Sequence, residues 1–498
     1  MKIKEFYRSR DFVDTMDHND KLDRNSKTIA RLTILTLALP MFIWSFSAGI
    51  VTISLPTISQ YLDVGTGLVS WVVIAHLIIL ISFLLIFGRL GDYVGYKTVF
   101  LNGIVLFTVG SYFCGISLDI FQLIASRVLQ GVGSAMMLSM TPALVSTNFK
   151  HHKRGWAFGY ISLATTLALA LGYGAGGIII SHLGWHWIFF STVPMGIFAV
   201  YMVQTVLPQG EVVKNRPKFD LTGSILIFIT VVNLTLALEL GKTLGWTSLI
   251  IMGMISLSVL LALTFFVWES RQMCPLFDVS LLKNLKLTFS IAAAFLISTV
   301  LTGTIFLLPF FLELVMGYST DFTGLLILAP TLLILFVSPI SGRISDMFSS
   351  RIPTIIAGMT MIVALVLFTL FNPTVGILFI FIALAVRSLS EGIFSPANTK
   401  QVMSHSDTGK MGSVSSLLNT GKYLGLVMGV VLFETVFEAT IKTSSSNIEG
   451  LTSTGAFQMS APVNTLLAGF HSAFIMGVGM SILILIFILL SSEKTHNS

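Results

Sequence analysis

The sequence predicts an all-α polytopic membrane protein: fourteen transmembrane helices, arranged as two parallel six-helix repeats with two further helices inserted between them. Composition is the first observation behind this. The 498 residues are 54% hydrophobic and only 10% charged, against roughly 25% charged in ordinary soluble domains. Spacing is the second. Apolar runs long enough to cross a bilayer, which takes about 20 residues, recur from Leu32 to Leu490. The third is an internal repeat whose matching positions lie 253 or 254 residues apart. One water-facing core has no use for so many apolar segments, so a soluble globular class is excluded. The net charge of +6 does not point to nucleic acid, because the basic residues are distributed over short loops.

In chain order the expected spans are 32–57, 68–88, 98–118, 120–145, 157–181, 188–207, 221–240, 248–268, 287–312, 323–342, 353–371, 375–398, 411–437 and 467–490. Residues 1–31 are polar, mixed in charge and without the short apolar core of a signal peptide, so a cytoplasmic tail is expected there, with the first span as insertion signal. The expected divisions are an N-terminal six-helix bundle over 32–207, an inserted helix pair with flanking loops over 208–285, a C-terminal six-helix bundle over 286–490, and a cytoplasmic tail over 491–498. The Ser/Thr-rich stretch from Lys442 to Pro462 reads as an outer loop or lid. Cys114 falls in a span and Cys274 in a loop, so no disulfide framework is expected.

Four anchors define the repeat. Leu55-Pro56 corresponds to Leu308-Pro309, and Gly88-Arg89-Leu90-Gly91-Asp92 to Gly342-Arg343-Ile344-Ser345-Asp346. Thr141-Pro142-Ala143 corresponds to Ser395-Pro396-Ala397, and the small-residue ladder Ala168, Gly172, Gly176 to Gly421, Gly425, Gly429. Small residues four apart let helix backbones approach closely, so Gly172, Gly176, Gly425 and Gly429 are expected at helix contacts.

The stretch from Gly88 to Lys97 lies between two apolar runs. Arg and Asp are costly in lipid, so it is expected to be a tight, water-facing turn. Both copies of the turn lie on the same side. With both termini cytoplasmic, Arg8, Arg10, Arg24, Arg31, Arg89, Lys97, Lys150–Arg154, Lys214–Lys218, Arg271–Lys286, Arg343, Arg351, Lys400 and Lys410 all fall inside, and only Lys242 and Lys442 outside. That asymmetry obeys the positive-inside rule and suits a multi-pass protein of the cell membrane.

The motifs resemble the fourteen-helix drug:proton antiporter branch of the major facilitator superfamily. Gly88-Arg89-Leu90-Gly91-Asp92 to Lys97 resembles the superfamily's signature between its second and third helices. Arg127-Val128-Leu129-Gln130-Gly131-Val132-Gly133-Ser134-Ala135 resembles its R-x-x-Q-G-x-G-x-A signature. Gly184-Trp185-His186-Trp187-Ile188-Phe189-Phe190 with Val193-Pro194-Met195-Gly196 resembles the W-x-W-I-F…V-P-x-G element of the fourteen-helix branch. The resemblance covers residues 32–490 and implies parallel halves rocking about a central site. It implies that Gly88, Arg89, Gly91, Asp92 and Lys97, with Arg343 and Asp346 in the second copy, latch the cytoplasmic side in one state, and that Arg127 takes part in proton coupling. This chain departs from the pattern in three places. Tyr93 and Tyr96 replace basic residues of the signature, Tyr173 replaces the proline of the antiporter motif, and Ser47 replaces an acid of the first helix.

Polar residues inside the spans are the remaining signal, since each needs a partner or a water-filled cavity. Arg387 and Glu391 stand four apart on one helix face and can pair; they read either as a structural ion pair or as part of a coupling site. His76 reads either as a hydrogen-bonded core residue or as a titrating group. Trp44, Ser47, Gln130 and Lys422 are candidates for a substrate pocket. Glu313, Glu434 and Glu438 fall near outer helix ends, where water is expected to keep them ionised, which leaves Glu391 as the most deeply placed carboxylate. Desolvation opposes its ionised form and Arg387 supports it.

No P-loop, no H-E-x-x-H pair and no nucleophile triad is present, so an enzyme or an ATP-driven pump is not expected, and neither is a cofactor or metal. The expected function is a secondary active transporter working by alternating access, with proton-coupled export of amphipathic drugs or small metabolites. Uptake or exchange of an anionic metabolite and a non-transporting receptor remain open as alternatives. The expected partners are a small-molecule substrate, protons and the lipid bilayer, not nucleic acid. The topology is open to test: single cysteines placed at Ser26 and Ser445 should be respectively protected from and labelled by an impermeant thiol reagent applied to intact cells, and the reverse pattern would invert the scheme.

Overall fold

The computed structural model describes residues 20–149, 151–208, 220–272, 281, 283–347, 349–404, 411–445 and 462–491. Thirteen helices among them are long and apolar enough to cross a membrane, and a shorter apolar stretch, Thr222–Leu238, lies within one further helix. In lipid a backbone can satisfy its own polar groups only by closing every N–H onto a carbonyl within the helix, and that decides the secondary structure of an apolar chain. Hydroxyls in the spans follow the same demand: Thr36 donates to Leu32 O at 2.7 Å and Thr141 to Met137 O at 2.9 Å.

The first half comprises α1 (Asp20–Tyr61), α2 (Thr66–Val94), α3 (Tyr96–Gly115), α4 (Ile120–Asn148), α5 (His151–Leu183), the short α6 (His186–Phe190) and α7 (Thr192–Val206). The inserted hairpin is α8 (Leu221–Leu244) and α9 (Leu249–Glu269). The second half comprises α10 (Leu285–Phe310, followed by a π turn Phe311–Val315), α11 (Thr320–Thr331), α12 (Leu333–Met347), α13 (Arg351–Thr369), α14 (Ile377–Ser404), α15 (Met411–Ser445) and α16 (Val463–Ser491). Side-chain caps begin several of them. Asp119 accepts from Gln122 N at 2.9 Å, Asp220 from Gly223 N at 2.9 Å and Asn284 from Leu287 N at 3.3 Å, each satisfying a donor that a helix start leaves open.

Several expected boundaries move. The stretch 88–97 is not a ten-residue turn: α2 stays helical to Val94, and the chain reverses at Gly95, whose φ of +100° suits glycine alone. Gly342–Asp346 likewise lies inside α12. Glycine weakens a helix without breaking it, and within the signature it is Gly91 that permits close packing, on Met140. The expected span 323–342 is divided at Leu332, just after Pro330, which lacks an N–H to continue the ladder. The first helix begins at Asp20, twelve residues before the first apolar run. Residues 446–461 of the proposed outer loop, and Cys274, lie outside the described residues; Cys114 is a buried free thiol.

The repeat governs packing as well as sequence. In the first half α1 packs on α5, α3 on α4 and α7, and α2 on α4; in the second, α10 packs on α15, α13 on α14 and α16, and α12 on α14. The glycine ladders are the contact points. A Cβ on Gly172 would stand 2.6 Å from Phe46 O, and one on Gly425 2.4 Å from Phe295 O. Gly176 faces Ile50 Cα, and Gly429 faces Thr299 O and Gly303 N. The hairpin α8–α9 is held together by Asn233, whose amide donates to Met254 O at 2.7 Å and to Ser258 Oγ at 2.8 Å. It lies along the seam between the halves, against α2 and α15, where Phe83 and Phe228 meet edge to face. Its outer surface is apolar: Leu249, Ile250 and Leu260 are 87, 61 and 61% exposed, as a lipid-facing surface requires.

Gly172→Val is expected to force α1 from α5 and cost about 1–3 kcal/mol, the usual cost of overpacking. Melting of the purified protein in detergent measures it. Gly155→Val, at a site where an added Cβ meets nothing within 4 Å, is the control, and equal melting of the two variants would refute the contact.

Candidate functional site

Between the halves lies a cavity of about 460 Å³, within the range of small-molecule sites. Its walls come from repeat-equivalent positions. Trp44, Ser45, Ala48 and Thr52 of α1 line it, as do Ile297, Ser298, Leu301 and Ile305 of α10, each 253 residues further on. Thr166, Leu169 and Tyr173 of α5 are matched in the same register by Asn419, Lys422 and Leu426 of α15. The repeat thus makes one pocket from two copies of a wall, and the chemistry differs where the copies differ.

Contacts between the halves close the cavity at the end of the bundle remote from Asp20 and Ser491. Gly324 abuts Tyr173 O and Gly177, and Gly177 abuts Thr320 O, so α5 and α11 cross with backbones touching. Thr57 Oγ1 lies 3.4 Å from Thr320 Oγ1. At the start of α2, Gly67 faces the carboxylates of Glu434 and Glu438 on α15. Along every helix involved the cavity residues precede or follow these contacts on the same side: 165–173 against 173–177 on α5, and 419–426 against 434–438 on α15.

Two guanidinium groups stand at the cavity, each hydrogen-bonded to neighbouring helices. Arg127 is 3% exposed; its Nε donates to Val72 O at 2.7 Å and its Nη1 to Gln130 Oε1. Gln130 Nε2 passes the chain on to Ser111 Oγ at 2.7 Å, so the group ties α4 to α2 and α3. His76 Nε2 lies 3.3 Å from Ser134 Oγ. Arg387 donates from Nη2 to Leu301 O at 2.8 Å and from Nε to Thr304 Oγ1 at 3.3 Å, and its Nη1 is 3.5 Å from Glu391 Oε2. Arg387 is nearly enclosed, while the Glu391 side chain keeps 30% of its surface in the cavity. Trp44 and Tyr423 meet edge to face across the halves, ring centroids 6.4 Å apart.

Of the residues expected from the sequence, Trp44, His76, Arg127, Arg387, Glu391 and Lys422 all line this one cavity. Ser47 and Gln130 do not. Both are buried, Ser47 within the bundle and Gln130 behind Arg127, where its amide turns to Ser111 of α3. The expectation that water reaches Glu434 is also corrected: its residue surface is 0% exposed, less than that of Glu391, because α2 of the other half covers it at the closed end. Glu438 instead pairs with Lys442 at 2.9 Å.

The signature residues lie elsewhere. Asp92 accepts from Tyr96 Oη at 2.7 Å, so a tyrosine serves where the superfamily pattern has a basic residue. Lys97 donates to Gln204 O at 3.3 Å and to Leu207 O, at the C-terminal end of α7, where a helix favours a cation. Asp346 pairs with Lys400 at 2.9 Å, both largely exposed. The named partners of Asp92 and Asp346 therefore lie within their own halves. Gly91 packs on Met140, while Gly88 meets nothing within 4 Å. Arg343 is exposed, and the Arg89 side chain lies outside the described residues.

The cavity residues missed in the sequence are chiefly Tyr173, Asn419 and Tyr423. The repeat offset was the signal that could have found them, because it carries Thr166 onto Asn419 and Tyr173 onto Leu426.

Two halves of equivalent packing around a central cavity define a major facilitator transporter, and the comparisons with known proteins agree. The chain belongs to the Major Facilitator Superfamily, whose family model matches residues 37–430. It is 28% identical to the riboflavin transporter RibZ of Clostridioides difficile over 82% of this chain and 88% of that one. It is 27% identical to the multidrug transporter protein MdtP of Bacillus subtilis, over 84% and 77%, and 29% identical to the probable multidrug resistance protein EmrY of Escherichia coli, over 64% and 62%. Among solved structures, a bacterial homologue of the human lysosomal transporter Spinster shares the fold with a TM-score of 0.65 at 15% identity, covering 94% of this chain and 98% of that one. The protein is accordingly a transmembrane transporter, of a family that is not one of enzymes.

Removing one member of a buried ion pair costs about 3–5 kcal/mol, and the partial exposure of Glu391 lowers that figure here. Arg387→Met is therefore expected to lower the melting temperature, and adding Glu391→Gln to recover part of the loss. A double variant less stable than Arg387→Met alone would show that the pair is not the source.

Proposed function

We propose that this transporter exports amphipathic small molecules across the cell membrane in exchange for protons, by alternating access about the cavity between its halves. The observation that carries the reading is the cavity itself: repeat-equivalent walls, closed at the remote end by α5 against α11 and α2 against α15. Rocking the halves about that site exposes it to one side at a time. The distribution of basic residues puts both termini in the cytoplasm, so the remote end faces outward and the present state is open to the inside. The names of the relatives, multidrug transporters and resistance proteins among them, favour export of drugs or metabolites.

Coupling is assigned to the polar residues of the cavity, Arg127, His76, Arg387 and Glu391. Glu391 is reachable from the cavity and its partner Arg387 is 3.5 Å away. Opened outward, Glu391 takes up a proton and loosens from Arg387; opened inward, the re-formed pair favours the ionised form, and the proton leaves as substrate binds in its place. The signature around Asp92 and Asp346 serves as a latch that holds the cytoplasmic side closed in the other state; in the present state each carboxylate fastens neighbouring helices of its own half, through Tyr96 and Lys400.

Flux in proteoliposomes with an imposed pH gradient tests this. The unmodified protein should move at least one member of a panel of cationic and anionic amphipathic dyes, ethidium among them, faster with the gradient than without. Glu391→Gln should bind the dye and lose the response to the gradient. A response unchanged in Glu391→Gln would reduce that residue to a structural partner of Arg387, and flux indifferent to the gradient in the unmodified protein would remove proton coupling.

A further inference from the structure

We infer that the cavity holds an anion subsite at Lys422 beside an aromatic clamp, and that its preferred substrate is a flat aromatic or heteroaromatic ring bearing an anionic group. The inference rests on the proposed role of the cavity as the transport site.

The charges of the cavity do not balance. Arg127, Arg387 and Lys422 face it against the single carboxylate of Glu391. Each guanidinium group already has protein partners: Val72 O and Gln130 for one, Leu301 O, Thr304 and Glu391 for the other. Lys422 is less well partnered. Among the described residues its ammonium has one hydrogen-bond partner, Thr399 Oγ1 at 3.4 Å, beyond the usual range, and the ion pairs among those residues do not include it. A cation in the middle of a membrane helix is expensive unless water or a counter-ion meets it. Among the described residues no carboxylate pairs with it, and the cavity is where a counter-ion can enter.

The repeat sharpens the point. The position equivalent to Lys422 in the first half is Leu169, 253 residues earlier, and it lines the opposite wall. The fold therefore packs with an apolar residue at this position. The lysine is an addition on one side, and it makes the pocket polar at one wall only. Next to it in sequence, Tyr423 meets Trp44 of the other half edge to face. Ring faces and edges of this kind hold planar ligands, while Leu77, Leu169, Ile297 and Leu426 supply an apolar remainder. A ring bound at Trp44 and Tyr423 sets its substituent beside Lys422, and an anionic substituent gains a charge-assisted hydrogen bond there. A cationic substituent meets a surplus of positive charge instead.

Two probes with one ring and opposite charge, 2-naphthoate and 2-naphthylmethylammonium, decide the matter by calorimetric titration of the purified full chain in detergent. The unmodified protein is expected to bind naphthoate at least about tenfold more tightly, the difference that ~1.4 kcal/mol makes. Lys422→Leu should remove that preference, Lys422→Arg should keep it, and Trp44→Leu should weaken both probes. Equal or tighter binding of the ammonium probe to the unmodified protein, or a preference that survives in Lys422→Leu, overturns the subsite. If Lys422→Leu does not fold, the charge preference of the unmodified protein and its fall in high salt still decide. Vesicle flux separates this inference from the reading beneath it. Ethidium moved without any binding of naphthoate leaves the transport cavity standing and refutes the anion subsite. Naphthoate bound through Lys422, with neither probe nor ethidium moved, leaves the subsite standing and refutes the cavity as the transport site.

Discussion

Contact between helix backbones, made through glycine, is the constraint on which the rest of this structure depends. Lipid tails are as apolar as leucine, so burial by itself gives membrane helices little reason to associate, and close van der Waals packing takes its place. In the first half Gly172 and Gly49 bring α5 onto the backbone of α1, and in the second Gly425 and Gly429 bring α15 onto α10. These four helices carry most of the cavity wall. A side chain at any of those glycines would move the wall by the thickness of a methyl group, and with it the positions of Trp44, Tyr173 and Lys422.

The same device, used between the halves instead of within them, forms the closed end. Gly177 and Gly324 let α5 and α11 touch at the remote end. The contact is glycine-lined, whereas large aromatic side chains fill the interior of each half: Phe100, Phe107 and Phe189 in the first, and Phe306, Phe310, Phe433 and Phe470 in the second, are fully or almost fully enclosed. Packed halves that meet through glycine at one end are what a rocking motion requires. The cover over Glu434 belongs to that contact, because α2 lies in one half and α15 in the other.

Buried charge is confined to places where it also positions something. Arg127 joins three helices through Val72, Gln130 and Ser111, and Arg387 joins α14 to α10 through Leu301 and Thr304. Each guanidinium meets its desolvation cost with several hydrogen bonds and leaves an edge on the cavity. Lys422 is set apart by having so little of this, on a wall whose repeat partner is leucine.

The sequence by itself determined the class, the order of the spans, the repeat and the glycines at the helix contacts. These depend on local composition and on periodicity, both of which are written along the chain. The candidate site was legible in part for the same reason: a charge inside an apolar run is visible without any partner, so Arg127, Arg387, Glu391 and Lys422 stood out. The tertiary structure decided which of them meet. Only folding showed that Ser47 and Gln130 turn from the cavity, that Tyr423 reaches Trp44 across the halves, and that Glu434 is covered while Glu391 is wetted. Depth along a helix can be counted from its ends, but exposure depends on which neighbour lies alongside. In this fold the neighbour that covers Glu434 is α2, which begins at Thr66, on the other side of the repeat.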